Sequence, residues 1–221
     1  MQRVCMLEQE ERVWDDLKQG SLCVLLALCL SGCGKSVPPA GETVRGHFED
    51  LQAAQMQVKI LCDFGQSALE YRVDYEYNKE DNDLLTVTEP QSIAGVQVEI
   101  AGQQDFTLQY QDAALEFGRD AVSGLTPVDA IAALLYDLYT GEPTEIGKDT
   151  IDGVQAVSLH YETMDVCPEI SKTVWLEPNT MTPLCAELYC DGQKRVTLFF
   201  EQFEQKESKH GNEPESRLGG N

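Results

Sequence analysis

The sequence predicts a mainly β (α+β) fold: a strongly curved antiparallel sheet, an unclosed half-barrel of about ten strands, covered by two helices. Three observations predict it. After residue 55 most of the chain alternates apolar and polar residues with a period of two, as strands do when one face is buried and the other is wet. Turn residues interrupt that pattern at short intervals. Only two stretches carry helical spacing, and a large one-sided sheet must close on whatever else the chain supplies.

The first helix is expected over Thr43 to Ala54, with Val44, Phe48, Leu51 and Ala54 on one face and Thr43 as a candidate N-cap. Two long strands follow. Met56, Val58, Ile60, Cys62 and Phe64 alternate with mostly polar neighbours, and Leu69, Tyr71, Val73, Tyr75 and Tyr77 alternate with Glu70, Arg72, Asp74 and Glu76. Shorter runs at Leu84 to Thr88, Val96 to Ala101, Phe106 to Tyr110 and Ala114 to Phe117 are separated by Pro90, Gly95, Gly102 and Asp112, which reads as an antiparallel meander. The second helix is expected between Thr126 and Tyr139, with Thr126 as N-cap, Pro127 at the first helical position and Gly141 just past the end. Its apolar face is Val128, Ile131, Leu134, Leu135 and Leu138. Strands resume around Val154 to Tyr161, Ile170 to Leu176, Leu184 to Cys190 and Lys194 to Phe203, with turns at Asp152-Gly153, Pro178-Asn179 and Asp191-Gly192. Residues 205–221 carry almost no apolar side chain and are expected to be a disordered tail.

The amino-terminal stretch has a different character. Leu22 to Leu30 is an uncharged apolar run, far short of the roughly 20 residues that span a bilayer as a helix, and fits the hydrophobic region of an export signal. Leu30-Ser31-Gly32-Cys33 follows at once and resembles the bacterial lipobox. The resemblance implies cleavage between Gly32 and Cys33, a diacylglyceryl group on the Cys33 thiol, and a protein held by lipid on the extracytoplasmic face of the cell membrane. Residues 1–32 are then the signal peptide, and residues 33–42, with Gly34 to Gly41 reading as a flexible tether, lead into a domain over 43–204. The leader departs from the usual pattern, because Met1 to Gly20 is long and carries Glu8, Glu10, Glu11, Asp15 and Asp16 against Arg3, Arg12 and Lys18. A start codon assigned too far upstream accounts for it; the competing reading is a buried helix ending in an ordinary cysteine.

Charge narrows the function classes. The 221 residues carry 16 basic and 38 acidic side chains, −22 in all. Without residues 1–32, which hold three basic and five acidic ones, 13 face 33, or −20. That field repels phosphate backbones and anionic headgroups, so neither nucleic acid nor a polybasic membrane contact is expected.

Of eight cysteines, Cys62, Cys167, Cys185 and Cys190 remain beyond Cys33, and four allow three disulfide pairings. Their spacing does not match a structural zinc site, and Cys62 and Cys190 fall on apolar strand faces as small hydrophobes. Gly34-Lys35-Ser36 lacks the glycine five positions before its own that a phosphate loop needs, since Cys29 stands there. Lys79 to Asp83 lacks the EF-hand glycine, since Leu85 and Thr86 follow, and reads as an acidic hairpin tip.

The order of elements, with Glu89-Pro90, Ile93-Ala94-Gly95, Leu125-Thr126-Pro127, Val174-Trp175-Leu176 and Pro183 with Ala186-Glu187-Leu188, is similar to the LolA/LppX-like lipoprotein-carrier superfamily over residues 43 to 204. In these stretches it resembles the clostridial GerS-like germination lipoproteins. The resemblance implies an unclosed barrel with a helical lid that binds acyl chains or a partner protein, without catalysis and without a cofactor beyond the lipid on Cys33.

Two functional readings follow. In the first, a hydrophobic ligand, a lipid or acyl chain, lies between the concave sheet face (Val58, Ile60, Tyr71, Val73, Tyr75, Val98, Leu108) and the second helix around Leu134 and Leu135; the same residues would form an ordinary core if the space is filled. In the second, an exposed strand edge or the acidic surface docks an envelope or spore-cortex enzyme such as an amidase, as the GerS-like resemblance implies. An empty apolar cavity favours the first and a filled core the second. Catalysis is not expected: Glu70, Asp74 and Glu76 sit on the polar side of one strand, and His47, His160 and His210 are scattered. A couple of Cys185 or Cys167 with His160, which only folding could bring together, stays open.

Overall fold

The computed structural model describes residues 41–63, 65, 67–102, 105–111, 113–118, 124–163 and 168–206. The expected signal peptide, Cys33 with most of the expected tether, Phe64, Cys167 and residues 207–221 of the expected tail lie outside the described residues.

The chain opens with α1 (Gly41–Asp50) and runs through β1 (Ala53–Asp63), β2 (Ala68–Asn78), β3 (Asp83–Glu89), β4 (Gln97–Ala101), β5 (Asp105–Tyr110) and β6 (Ala113–Gly118). The second helix, α2 (Ala130–Thr140), precedes β7 (Glu145–Ile151), β8 (Val154–Glu162), β9 (Ile170–Leu176), β10 (Pro183–Cys190) and β11 (Gln193–Lys206). The eleven strands form one antiparallel sheet in the order β6-β5-β4-β3-β2-β1-β11-β10-β9-β8-β7. This is the expected half-barrel, two meanders joined where the first strand pairs with the last. Ala53 to Cys62 of β1 lie against Lys206 to Val196 of β11, with a bulge at Gln57/Val58.

Turn chemistry sets the hairpins. Asp152-Gly153 and Asp191-Gly192 both take positive φ at both residues, the conformation whose twist matches antiparallel strands. At the β9–β10 turn the Glu177 carboxylate accepts from the Asn179 and Thr180 amides, at 3.0 and 2.7 Å, and from both of their side chains.

Several elements differ from the sequence reading. α1 starts at Gly41, so Thr43 lies inside it rather than at its N-cap, and β11 runs to Lys206, past the expected start of the tail at residue 205. The first helix ends at Asp50 rather than Ala54: Ala54 belongs to β1, which begins at Ala53, and Leu51 lies buried in the short link between helix and strand. The second helix begins at Ala130 rather than Thr126, with Asp129 and not Thr126 at the N-cap. The roles are inverted: the Asp129 carboxylate, 1% exposed, accepts from the Thr126 amide and hydroxyl (2.8 and 2.6 Å) and from the Gly124 amide (2.7 Å), and so ties down the loop that feeds the helix. An eleventh strand, β7, was not anticipated, because EIGKDTI has neither alternation nor a full apolar face.

Gly141 is where the second helix stops, although not through a left-handed turn. Its φ is −78°, its amide donates to the Asp137 carbonyl, and a Cβ there would lie 2.7 Å from that oxygen and 3.1 Å from the Tyr161 ring. Gly141→Ala is therefore expected to cost about 1–3 kcal/mol by overpacking, read as a lower midpoint in urea unfolding; an unchanged midpoint would mean that both the Asp137 carbonyl and the Tyr161 ring yield freely.

The core lies between the inner sheet face and the helices. Alternate residues of β1 (Ala54, Met56, Val58, Ile60, Cys62) face Val44 and Phe48 of α1 and Ile131, Leu134, Leu135 and Leu138 of α2 within one apolar cluster. The two helices pack against each other, and Lys172 on β9 fastens α2 through the Asp137 carboxylate at 2.5 Å. No helix among the described residues is long and apolar enough to cross a membrane.

Candidate functional site

All nine inner-face candidates come together. Val58, Ile60, Val73, Tyr75, Val98, Leu134 and Leu135 are at most 3% exposed, and Tyr71 and Leu108, half-buried, pack against the same cluster. Register explains the convergence: Val58 pairs with Val73, Ile60 with Tyr71 and Met56 with Tyr75 across β1 and β2, and Val98 pairs with Leu108 across β4 and β5. The centre of the face is thus packed side chain against side chain under α2.

The face is left uncovered at one wing. On β5 and β6, Leu108 pairs with Leu115 and Tyr110 with Ala113, all on the inner-face parity set by buried Phe106. Leu115 is 56% exposed and Tyr110 38%. β6 is also an edge strand, and over Ala113 to Gly118 its one charged residue is Glu116. The opposite edge, β7, carries Glu145, Lys148 and Asp149, the kind of charge that discourages edge-to-edge pairing.

A second gap opens at the end of α2. A cavity of 280 Å³ is lined by Tyr77, Asn78, Lys79, Asp81 and Asp83 of the β2–β3 hairpin, by Gly102, and by Ala132, Leu135, Tyr136 and Tyr139 of α2. The Tyr136 and Tyr139 rings meet edge to face at 5.2 Å. Asp83 accepts from the Tyr75 hydroxyl at 2.6 Å and from the Asn78 amide at 2.9 Å. Burial raises its pKa, with those two hydrogen bonds opposing. The folded state therefore holds this proton more tightly than the unfolded chain. The stability that Asp83 contributes is present in acid and lost as pH rises through its raised pKa. Burial and the nearby Asp83 push Tyr77 up to about 12.

The sequence places Asp83 in an acidic hairpin tip. Its parity with Leu85 and Val87, both buried, was the missed signal, since it puts a carboxylate on the core side of β3.

On the outer face, Asp74 and Glu76 line an acidic groove of 210 Å³ with Gln55, Gln57, Gln202 and Glu204. Arg72 pairs there with Glu89 at 3.1 Å and Glu201 at 2.7 Å. Cys185 lies beneath this face, between Trp175 and Phe199 in the cross-strand register. Cys62, Cys185 and Cys190 are free thiols. Burial pushes Cys62 and Cys185 up to about 11, so neither offers a thiolate at neutral pH. His160 spends both ring nitrogens on Thr173 and Glu162, at 2.9 and 3.0 Å, and is not paired with Cys185. Among the described residues no group of three or more His, Cys, Asp or Glu side chains is placed to hold a metal ion.

No protein-family model matches the sequence, and no curated protein matches it. Solved structures resemble it at low identity. They include a LolA superfamily protein from Nitrosomonas europaea (14% identity, 76% of this chain and 94% of that one, TM-score 0.43). They also include the lipoprotein LppX from Mycobacterium tuberculosis (12%, 75% and 93%, TM-score 0.39). A chain of the CwlD amidase–GerS lipoprotein complex from Clostridioides difficile matches as well (16%, 75% and 93%, TM-score 0.40). At these identities and TM-scores nothing about a ligand or partner is carried across.

Proposed function

We propose that this chain is a non-catalytic, lipid-anchored envelope protein that docks a partner protein through the uncovered wing of its sheet, at β5 and β6. The observation that carries the reading is the filled inner face. Seven of its nine candidates are at most 3% exposed, so an acyl chain lying between the sheet and α2 would have to displace Ile131, Leu134, Leu135 and Leu138, and this supports the docking reading over the carrier one. The wing offers what the centre does not: exposed apolar side chains at Leu115 and Tyr110 beside a free strand edge, the combination by which a partner strand adds to a sheet. The GerS-like resemblance of the sequence implies a cell-envelope amidase as the partner class. The lipid on Cys33 confines the encounter to the membrane surface.

The test is native mass spectrometry of the protein purified in mild detergent from its own membrane. The docking reading expects the anchored polypeptide with a protein partner and without a second lipid. It also expects Leu115→Arg to weaken that complex by roughly tenfold or more, because a charge at the centre of an apolar contact must be desolvated unpaired. A lipid mass that appears only under native conditions would replace docking by the carrier reading.

A further inference from the structure

The cavity at the end of α2 plays no part in the docking surface, and its chemistry is specific. Three tyrosines, Tyr77, Tyr136 and Tyr139, line it with buried Leu135 and Ala132, while Asp83 and Asp81 stand on the hairpin side. We propose that it binds a small organic cation, an alkylammonium head of choline size, with the tyrosine rings and the Asp83 carboxylate as its recognition elements.

Aromatic faces carry negative charge, and a cage of such rings is a recurrent way to hold a quaternary ammonium group, which cannot donate hydrogen bonds and needs none. Asp83 supplies the counter-charge. It is partly buried, its hydrogen bonds come from a neutral hydroxyl and an amide, and no cationic side chain pairs with it among the described residues. A carboxylate held from water without a cation is unfavourable, and its raised pKa is the mark of that environment. Lys79, the one basic residue in the lining, directs its ammonium to the Glu49 carbonyl at the end of α1. The lining therefore keeps a net negative charge.

Size and sign exclude the alternatives. At 280 Å³ the cavity lies just under the range of roughly 300–1,000 Å³ of pockets for drug-sized ligands, so it suits a compact head and not a lipid tail. A fatty-acid carboxylate or a phosphate would meet Asp81 and Asp83.

The full-length protein in a nonionic detergent is titrated by calorimetry with choline chloride and, separately, with its uncharged carbon isostere 3,3-dimethylbutanol. The expected result is saturable choline binding, weakened roughly tenfold in the isostere and about as much by Tyr136→Ala. Tyr136 is 38% exposed on α2, so that variant keeps its core packing. Asp83→Asn, checked for folding by its unfolding midpoint, is expected to remove the preference for choline over the isostere. Equal binding of both probes would make the cavity an apolar slot. Absence of saturable binding, or full affinity in Tyr136→Ala, would overturn the proposal.

Discussion

Cys33→Ala is expected to give a protein that keeps residues 1–32, carries no lipid and leaves the membrane fraction when the leader is removed artificially. The argument is chemical. A thiol is the nucleophile that takes the diacylglyceryl group, and alanine has none; the signal cut before Cys33 depends on that modification. With a net charge of −20 beyond the leader the domain is repelled by anionic headgroups, and no described helix is long and apolar enough to span a bilayer. Two acyl chains, at about 0.8 kcal/mol per buried methylene, hold a protein far more firmly than one. The measurement is the denatured intact mass from detergent-solubilised membranes. The parent chain is expected at the mass of residues 33–221 plus diacylglycerol, and Cys33→Ala at the mass of the whole precursor. Normal processing of the variant would end the lipoprotein reading.

Leu134→Ala is expected to lower stability by about 3–5 kcal/mol, the cost of deleting a fully buried leucine in a core that cannot collapse around the gap. Leu134 is 0% exposed and belongs to the cluster that joins α2 to Val58, Ile60 and Val73. The size of the loss bears directly on function. If α2 is a fixed part of the core, the whole cost appears in the urea midpoint. If α2 is a lid that spends much of its time away from the sheet, Leu134 is already partly solvated and the loss shrinks to below about 1 kcal/mol. A small loss would remove the basis of the docking reading and return the inner face to the carrier. Lys172 and Asp137, which fasten α2 to β9 at 2.5 Å with side chains 14% and 23% exposed, argue for the fixed helix.

Much of the fold was legible along the chain because each element answers to a local rule. β2 was legible from Tyr71, Val73 and Tyr75 alternating with charges, and two hairpins from their Asp-Gly turns, since period and φ are properties of neighbouring residues. β7 was not, because an edge strand owes its pairing to β8 rather than to its own pattern. Thr126 was read as a cap from a motif that names residue types without saying which side chain accepts; a buried Asp129 three residues on reversed it. The nine inner-face residues were identified by parity alone, yet parity does not tell a wall from a filling.

The strand periods, the two helical faces, the inward and outward sides of the sheet, the acidic charge and the resemblance to a lipobox around Cys33 are all legible along the chain. Each is a matter of spacing or composition within a few residues. Folding is what brings β1 to β11, packs α2 on the middle of the inner face, leaves Leu115 and Tyr110 exposed, and joins Asp83 to three tyrosines around a cavity. These depend on contacts between residues tens to more than a hundred positions apart, whose energies come from volume, burial and charge at the meeting place, and no local pattern records them.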